Sequence, residues 1–184
     1  MNKRTPVCLM LKSAVLLVTL LCVFPLFATN PQKKEMKELN VKKVSLANVA
    51  VENIPALLDK EKVAFQSINT VNWKTFPYQP EVQFRIAHTD DAILVHYKVK
   101  EASVRAVAAG DNGAVWEDAC VEFFSIPAGD GIYYNVECNC AGILLIGAGA
   151  GRENREHAPQ EVMDKVQRWS SLGRQSFEER VGEC

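Results

Sequence analysis

The run Trp116-Glu117-Asp118-Ala119-Cys120-Val121-Glu122-Phe123-Phe124 sets a carboxylate in the middle of an apolar stretch. A carboxylate is almost never fully buried without a partner. Glu122 therefore either pairs with a cation or donor, or opens into a polar cleft on a sheet face. Trp116 stands six residues earlier and shares its parity, so both line one face if the strand is regular throughout. The run Tyr133-Tyr134-Asn135-Val136-Glu137-Cys138-Asn139 alternates sharply. Tyr133, Asn135, Glu137 and Asn139 point one way; Tyr134, Val136 and Cys138 point the other. At about 6–7 Å per two-residue step, that row offers amide donors, amide acceptors and a carboxylate. Such a row suits a ligand with many hydroxyl groups, each both donor and acceptor.

Register decides whether Glu122 joins the row. Pairing residue 126 with 132 sets Glu122 against Val136, on the wrong side. A slip of one residue flips every side chain and pairs Glu122 with Asn135 or Glu137. The slipped register is the one adopted here, because it gathers the polar groups and leaves Phe123 and Tyr134 for the core.

The elements that must hold these residues read mostly as strands of period two. Val63, Phe65 and Ser67 alternate with their neighbours, as do Val82, Phe84 and Ile86, then Ile93, Val95, Tyr97 and Val99. His88-Thr89-Asp90-Asp91 is a hairpin turn between the last two runs. Residues 118–126, the turn at 127–131, and 132–140 follow; 142–146 and 177–181 read as further strands. Helix is scarce: one or two turns over 55–60 with Pro55 at the start, and 159–169 with Val162, Met163, Val166 and Trp169 at helical spacing. The expected fold is all-β, an antiparallel β-sandwich of jelly-roll or Greek-key type with one or two short helices.

Composition bounds the rest. In 184 residues, 48 % apolar and 23 % charged, there is room for one folded domain and a short appendage. Lys3, Arg4 and Lys12 precede an apolar run over 14–28, the pattern of an export signal and too short for a membrane span. Without those three cations, 18 Lys and Arg face 22 Asp and Glu, a net charge of −4. No basic field exists to draw nucleic acid. The organisation expected is a signal over 1–28, a polar linker over 29–43 and a domain over 44–184, set in the periplasm, at the cell surface or outside the cell, with no stable membrane span after signal removal. Export permits disulfides, but Cys120, Cys138 and Cys140 sit in apolar strand-like runs and read as buried free thiols.

The segments W-E-D-A-C-V-E-F-F and Y-Y-N-V-E-C-N, with the earlier Asn72-Trp73-Lys74-Thr75-Phe76-Pro77-Tyr78-Gln79-Pro80, resemble the family 9 carbohydrate-binding modules over roughly residues 44–184. The resemblance implies a β-sandwich that binds a saccharide without cleaving it, with no catalytic residue and no cofactor beyond a structural calcium. It implies a sugar site of Trp116 and Glu122, six apart as in the family, with Glu137 and Asn139 on the following strand. Asn135 and Tyr133, on the same row, complete the set. An aromatic ring would cover the axial C–H face of a pyranose, and the Asn and Glu side chains would satisfy its edge. The family clamps sugar between two aromatic walls, the second near the C-terminus. This chain stops at Cys184, so the domain is expected to be incomplete there, with Trp169 as a substitute wall.

Other readings stand beside this one. Trp116 packs in a core, Glu122 pairs with Arg85 or Arg105, and the Asn-Glu-Asn row is a solvated face. A glycoside hydrolase would use Glu122 and Glu137 as its carboxyl pair. A haem or small-molecule sensor would use His88 and Met163 as axial ligands. The run Gly147-Ala148-Gly149-Ala150-Gly151 lacks both the third glycine of a dinucleotide fingerprint and the Lys-Ser/Thr of a phosphate loop, and reads as a flexible loop.

Overall fold

A computed structural model describes residues 38–46 and 49–182; the expected export signal, the linker as far as 37, and Cys184 lie outside the described residues. The chain there is mostly β, with several sheets and two short α-helices, the make-up of a β-sandwich domain. The strands are β1 (Lys42–Lys43), β2 (Gln66–Ile68), β3 (Glu81–His88), β4 (Ile93–Lys100), β5 (Ser103–Ala106), β6 (Cys120–Ser125), β7 (Tyr133–Asn139), β8 (Leu144–Gly149), β9 (Glu156–His157) and β10 (Phe177–Val181). The helices are α1 (Ile54–Lys60) and α2 (Gln160–Met163).

The first sheet is built on the β3–β4 hairpin, paired from Glu81↔Lys100 to His88↔Ile93. Its turn closes as expected. Thr89 N–H donates to the Ala92 carbonyl at 2.8 Å, and Thr89 Oγ1 accepts the N–H groups of Asp91 and Ala92. The other edge of β3 takes β2 antiparallel and β1 parallel. The parallel β1 departs from the purely antiparallel expectation, and it lies inside the stretch read as linker. Lys42 and Lys43 are tied there by ion pairs to Glu61 and Asp90.

Helix α1 begins with Pro55 in its first turn, where a missing N–H costs nothing. It lays Leu58 on Val44, Ala87 and Leu94. Arg85 is buried on this same face of β3. Its guanidinium donates to the Pro55 carbonyl at 2.9 Å and to His96 Nδ1 at 3.0 Å, pairs with Asp59, and lies 4.4 Å over the Phe65 ring.

The second sheet runs β6-β7-β8-β9, antiparallel throughout. One face carries Val136, Cys138, Leu144 and Ile146, covered by Met163 of α2 and by Val166. The helix expected over 159–169 is only four residues long. Beyond it Lys165 and Val166 bond three residues back, and Arg168 leaves the helical path to grip Asp111 through two 2.7 Å bonds. Tyr97 Oη of β4 donates to the Glu122 carbonyl of β6 at 2.9 Å, linking the two four-stranded sheets. Strands β5 and β10 form a separate antiparallel pair. No helix among the described residues is long and apolar enough to cross a membrane.

Candidate functional site

The β6–β7 pairing sets Glu122 opposite Glu137, Cys120 opposite Asn139 and Phe124 opposite Asn135. This is the slipped register, so all four polar residues share one face. Strand β8 extends that face with Leu145, Gly147 and Gly149, the partners of Glu137, Asn135 and Tyr133. Of the two residues expected in the core, Phe123 is half-buried, but Tyr134 is exposed.

Within this face the groups lie at different depths. Asn135 is 0 % exposed and Glu137 5 %. Asn135 Nδ2 donates to Glu137 Oε1 at 2.6 Å. A carboxylate accepts only from the amide nitrogen, so chemistry fixes which way this amide points. That leaves Asn135 Oδ1 and Glu137 Oε2, both acceptors, with no hydrogen-bond partner among the described residues. Buried groups of this kind are rare and costly. Beside them the rings of Phe124 and Tyr133 lie 6.0 Å apart, tilted by 49°.

Asn139 is engaged within the fold. Its Nδ2 donates to Asp118 Oδ2 at 2.9 Å, and its Oδ1 accepts the N–H groups of Ala141 and Ile143 at 3.1 and 2.8 Å. It pins the β7–β8 turn, where Gly142 takes the positive φ of 75° that favours glycine. Asp118 also accepts the Val107 and Ala108 N–H groups at 2.9 and 3.0 Å. Burial pushes its carboxyl up, but these bonds, the Asn139 amide and Arg105 together bring it below the ordinary value. Asp118 and Asn139 form the frame under the site, and the sequence reading had not singled out Asp118.

Trp116 is not on the same strand as Glu122. It lies in a 3-10 turn, Val115–Glu117, and β6 starts at Cys120; the shared-parity argument therefore fails. The turn is anchored by its first residue. Val115 is fully buried against Leu145 and Cys120 at one end of the polar face, and the next residue, Trp116, remains 57 % exposed. The indole is not in a core.

Glu122 faces solvent, and its expected alternatives are taken: Arg85 pairs with Asp59 and Arg105 with Asp118. Burial, then the Glu137 carboxylate, push its carboxyl above the ordinary value, while Arg152 and Arg155 draw it down. In the sequence Arg152 and Arg155 stand beside the glycine run, where arginines can reach a ligand but are usually solvated. The glycine run read as a loop begins as the end of β8, and the Arg155 side chain lies across it. A Cβ built on Gly149 would meet Arg155 Cγ at 3.1 Å, and one on Gly147 would meet its Cβ at 3.5 Å.

The haem alternative is not supported by position. Met163 is a core residue under the second sheet, whereas His88 ends β3 with its Nδ1 against the Thr89 carbonyl. No group of three or more His, Cys, Asp or Glu side chains suited to a metal occurs among the described residues. Cys120, Cys138 and Cys140 are free, and burial raises all three thiols, Cys120 to about 12 and Cys140 to about 11. Trp169 is exposed in a segment whose Val166 packs on the face away from Glu122.

The sequence pattern of carbohydrate-binding family 9 matches residues 52–184. A crystal structure described as that of a "putative carbohydrate-binding protein" from Bacteroides uniformis ATCC 8492 is similar, with 63 % sequence identity and a TM-score of 0.77. The similarity covers 80 % of this chain and 68 % of that one. No curated protein matches the chain. The β-rich fold and these two matches agree: the chain belongs to carbohydrate-binding family 9.

Proposed function

We propose that this chain binds a saccharide and leaves it chemically unchanged, on the face of β6–β8 fronted by Glu122 and bordered by Trp116. The observation that carries the reading is the gathering of Glu122, Asn135 and Glu137 on one sheet face, with an exposed indole on the turn that leads into β6. The indole covers the apolar C–H face of a pyranose. Glu122 accepts from its rim hydroxyls, and the buried acceptors of Asn135 and Glu137, unpaired among the described residues, lie one layer deeper. Tyr133 and Phe124 form the aromatic margin, while Asn139 holds the frame. Each net hydrogen bond contributes about 0.5–1.5 kcal/mol. A few of them plus one stacked ring, less the lost freedom of the ligand, give micromolar to millimolar affinity. The charged and apolar pattern of residues 1–28 supports a site of action beyond the cytoplasmic membrane.

A glycan array followed by calorimetry on the best binder tests this. Saturable binding without turnover, lost in Trp116→Ala, is the expected result; no binding to any saccharide overturns it. One observation favours a second reading, hydrolysis. Glu122 and Glu137 are direct cross-strand partners, which sets their Cβ atoms about 4.5–5.5 Å apart. Release of reducing sugar that disappears in Glu122→Gln would decide for it.

A further inference from the structure

We propose that Arg155, backed by Arg152, is the specificity-determining residue of this site, and that the site prefers a saccharide bearing a carboxylate, a uronic acid residue, over its neutral counterpart. The inference rests on reading this face as a sugar site.

The seat of Arg155 is built. Its stem lies on bare backbone at Gly147 and Gly149, which stand opposite Asn135 and Tyr133. Its Nε donates to the Arg152 carbonyl at 3.2 Å, and its guanidinium carbon is 5.8 Å from the centre of the Tyr133 ring. A side chain held at stem, Nε and ring face has lost much of its rotamer freedom before ligand arrives, which favours binding. Its two terminal nitrogens have no hydrogen-bond partner among the described residues, and neither it nor Arg152 forms an ion pair with Glu122 there.

Donors and acceptors divide cleanly across the site. Glu122, Glu137 Oε2 and Asn135 Oδ1 only accept, since the Asn135 amide nitrogen is committed to Glu137. The charged donors come from Arg155 and Arg152, beside the neutral Tyr133 hydroxyl and Trp116 N–H. A matching ligand brings hydroxyl donors along one edge and a pair of acceptors at another. A uronic acid does this: ring hydroxyls at one side, and on C5 a planar carboxylate that fits a guanidinium fork through two parallel bonds. The same ring holds its carboxylate away from the hydroxyls that Glu122 would take.

Calorimetry on the purified chain compares glucuronic acid with glucose and galacturonic acid with galactose, each as the methyl glycoside, at low and high salt. The expected result is about tenfold tighter binding of one uronate at low salt, with the margin shrinking as salt rises. Arg155→Gln, checked for an unchanged thermal melt, weakens the uronate more than the neutral sugar, and Arg155→Lys restores part of the difference. The salt series needs no variant, so the test survives a misfolded mutant. Equal binding of neutral and acidic partners by the unmodified chain overturns the inference and leaves the sugar reading standing. Failure of every saccharide to bind overturns both.

Discussion

Glu122 and Glu137 stand directly opposite one another across β6 and β7, one facing solvent and the other buried. Like charges in this position destabilise a sheet, and the protein keeps them together beside two arginines that draw on Glu122.

Glu122→Gln therefore has opposite effects on folding and binding. The Glu122 carboxyl is raised above its unfolded value of 4.5 by burial and then by Glu137. The folded chain holds that proton where the unfolded chain has released it. Its stabilising effect is full below 4.5 and lost as pH rises through the folded value. The variant should melt no lower than the parent at neutral pH and show a flatter melting profile from pH 4 upward, while sugar affinity falls. A variant that both melts lower and binds normally would contradict this.

If the proposed site stacks sugar on the indole, Trp116→Ala should remove most sugar affinity, on the order of tenfold or more. Since the side chain is exposed, its loss should move stability by no more than about 0.5 kcal/mol. Val115→Ala, one residue earlier, should do the reverse at first hand: a cavity costing roughly 1–3 kcal/mol, seen in the urea midpoint.

The frame should fail as a unit. Asp118→Ala leaves the Val107 and Ala108 N–H groups and the Asn139 amide without their acceptor. A loss of about 2–4 kcal/mol is expected. Asn139→Ala should cost somewhat less, and a double variant should cost clearly less than the two combined. Asp118 also confers acid sensitivity. Its carboxyl is lowered from 3.8, so its contribution is present above that value and lost as pH falls through the lower folded one.

His96 adds a second pH dependence, in a milder range. Burial first, and Arg85 next, hold its imidazole below the ordinary 6.5, and its Nδ1 accepts from Arg85 Nε. As pH drops through 6.5 the unfolded chain takes up a proton that the folded chain resists. Stability is then full above 6.5 and declines below it. His96→Gln, which retains an acceptor, should flatten the melting curve between pH 7 and 5; an unchanged slope would count against this account.

Particular residues show how far the sequence could be read. The alternation in 81–88, 93–100 and 133–139 reports a half-buried strand directly, and the β3–β4 and β6–β7 pairs form where it says. The Glu122 register was recoverable because gathering polar groups is a local argument. Depth was not: Asn135 and Asn139 look alike in the chain and both amide nitrogens donate to a carboxylate, yet the Asn139 oxygen pins a turn while the Asn135 oxygen is buried without a partner among the described residues. The Asn139 arrangement depends on Asp118, 21 residues away. The 3-10 turn at Val115–Glu117 defeated the parity argument, since period two holds only inside a strand. The glycines at 147 and 149 read as part of a flexible loop. Their use as a floor for Arg155 follows from a hairpin that composition does not announce.

The division of labour between Asp118–Asn139 below and Trp116, Glu122 and Arg155 above has an evolutionary consequence. The scaffold's anchoring groups point inward and touch none of the choices made on top. Exchange of the indole, the outward acid or the guanidinium, one at a time, should therefore leave the platform level, held by the same lattice of amides and backbone, so that the upper surface is free to vary.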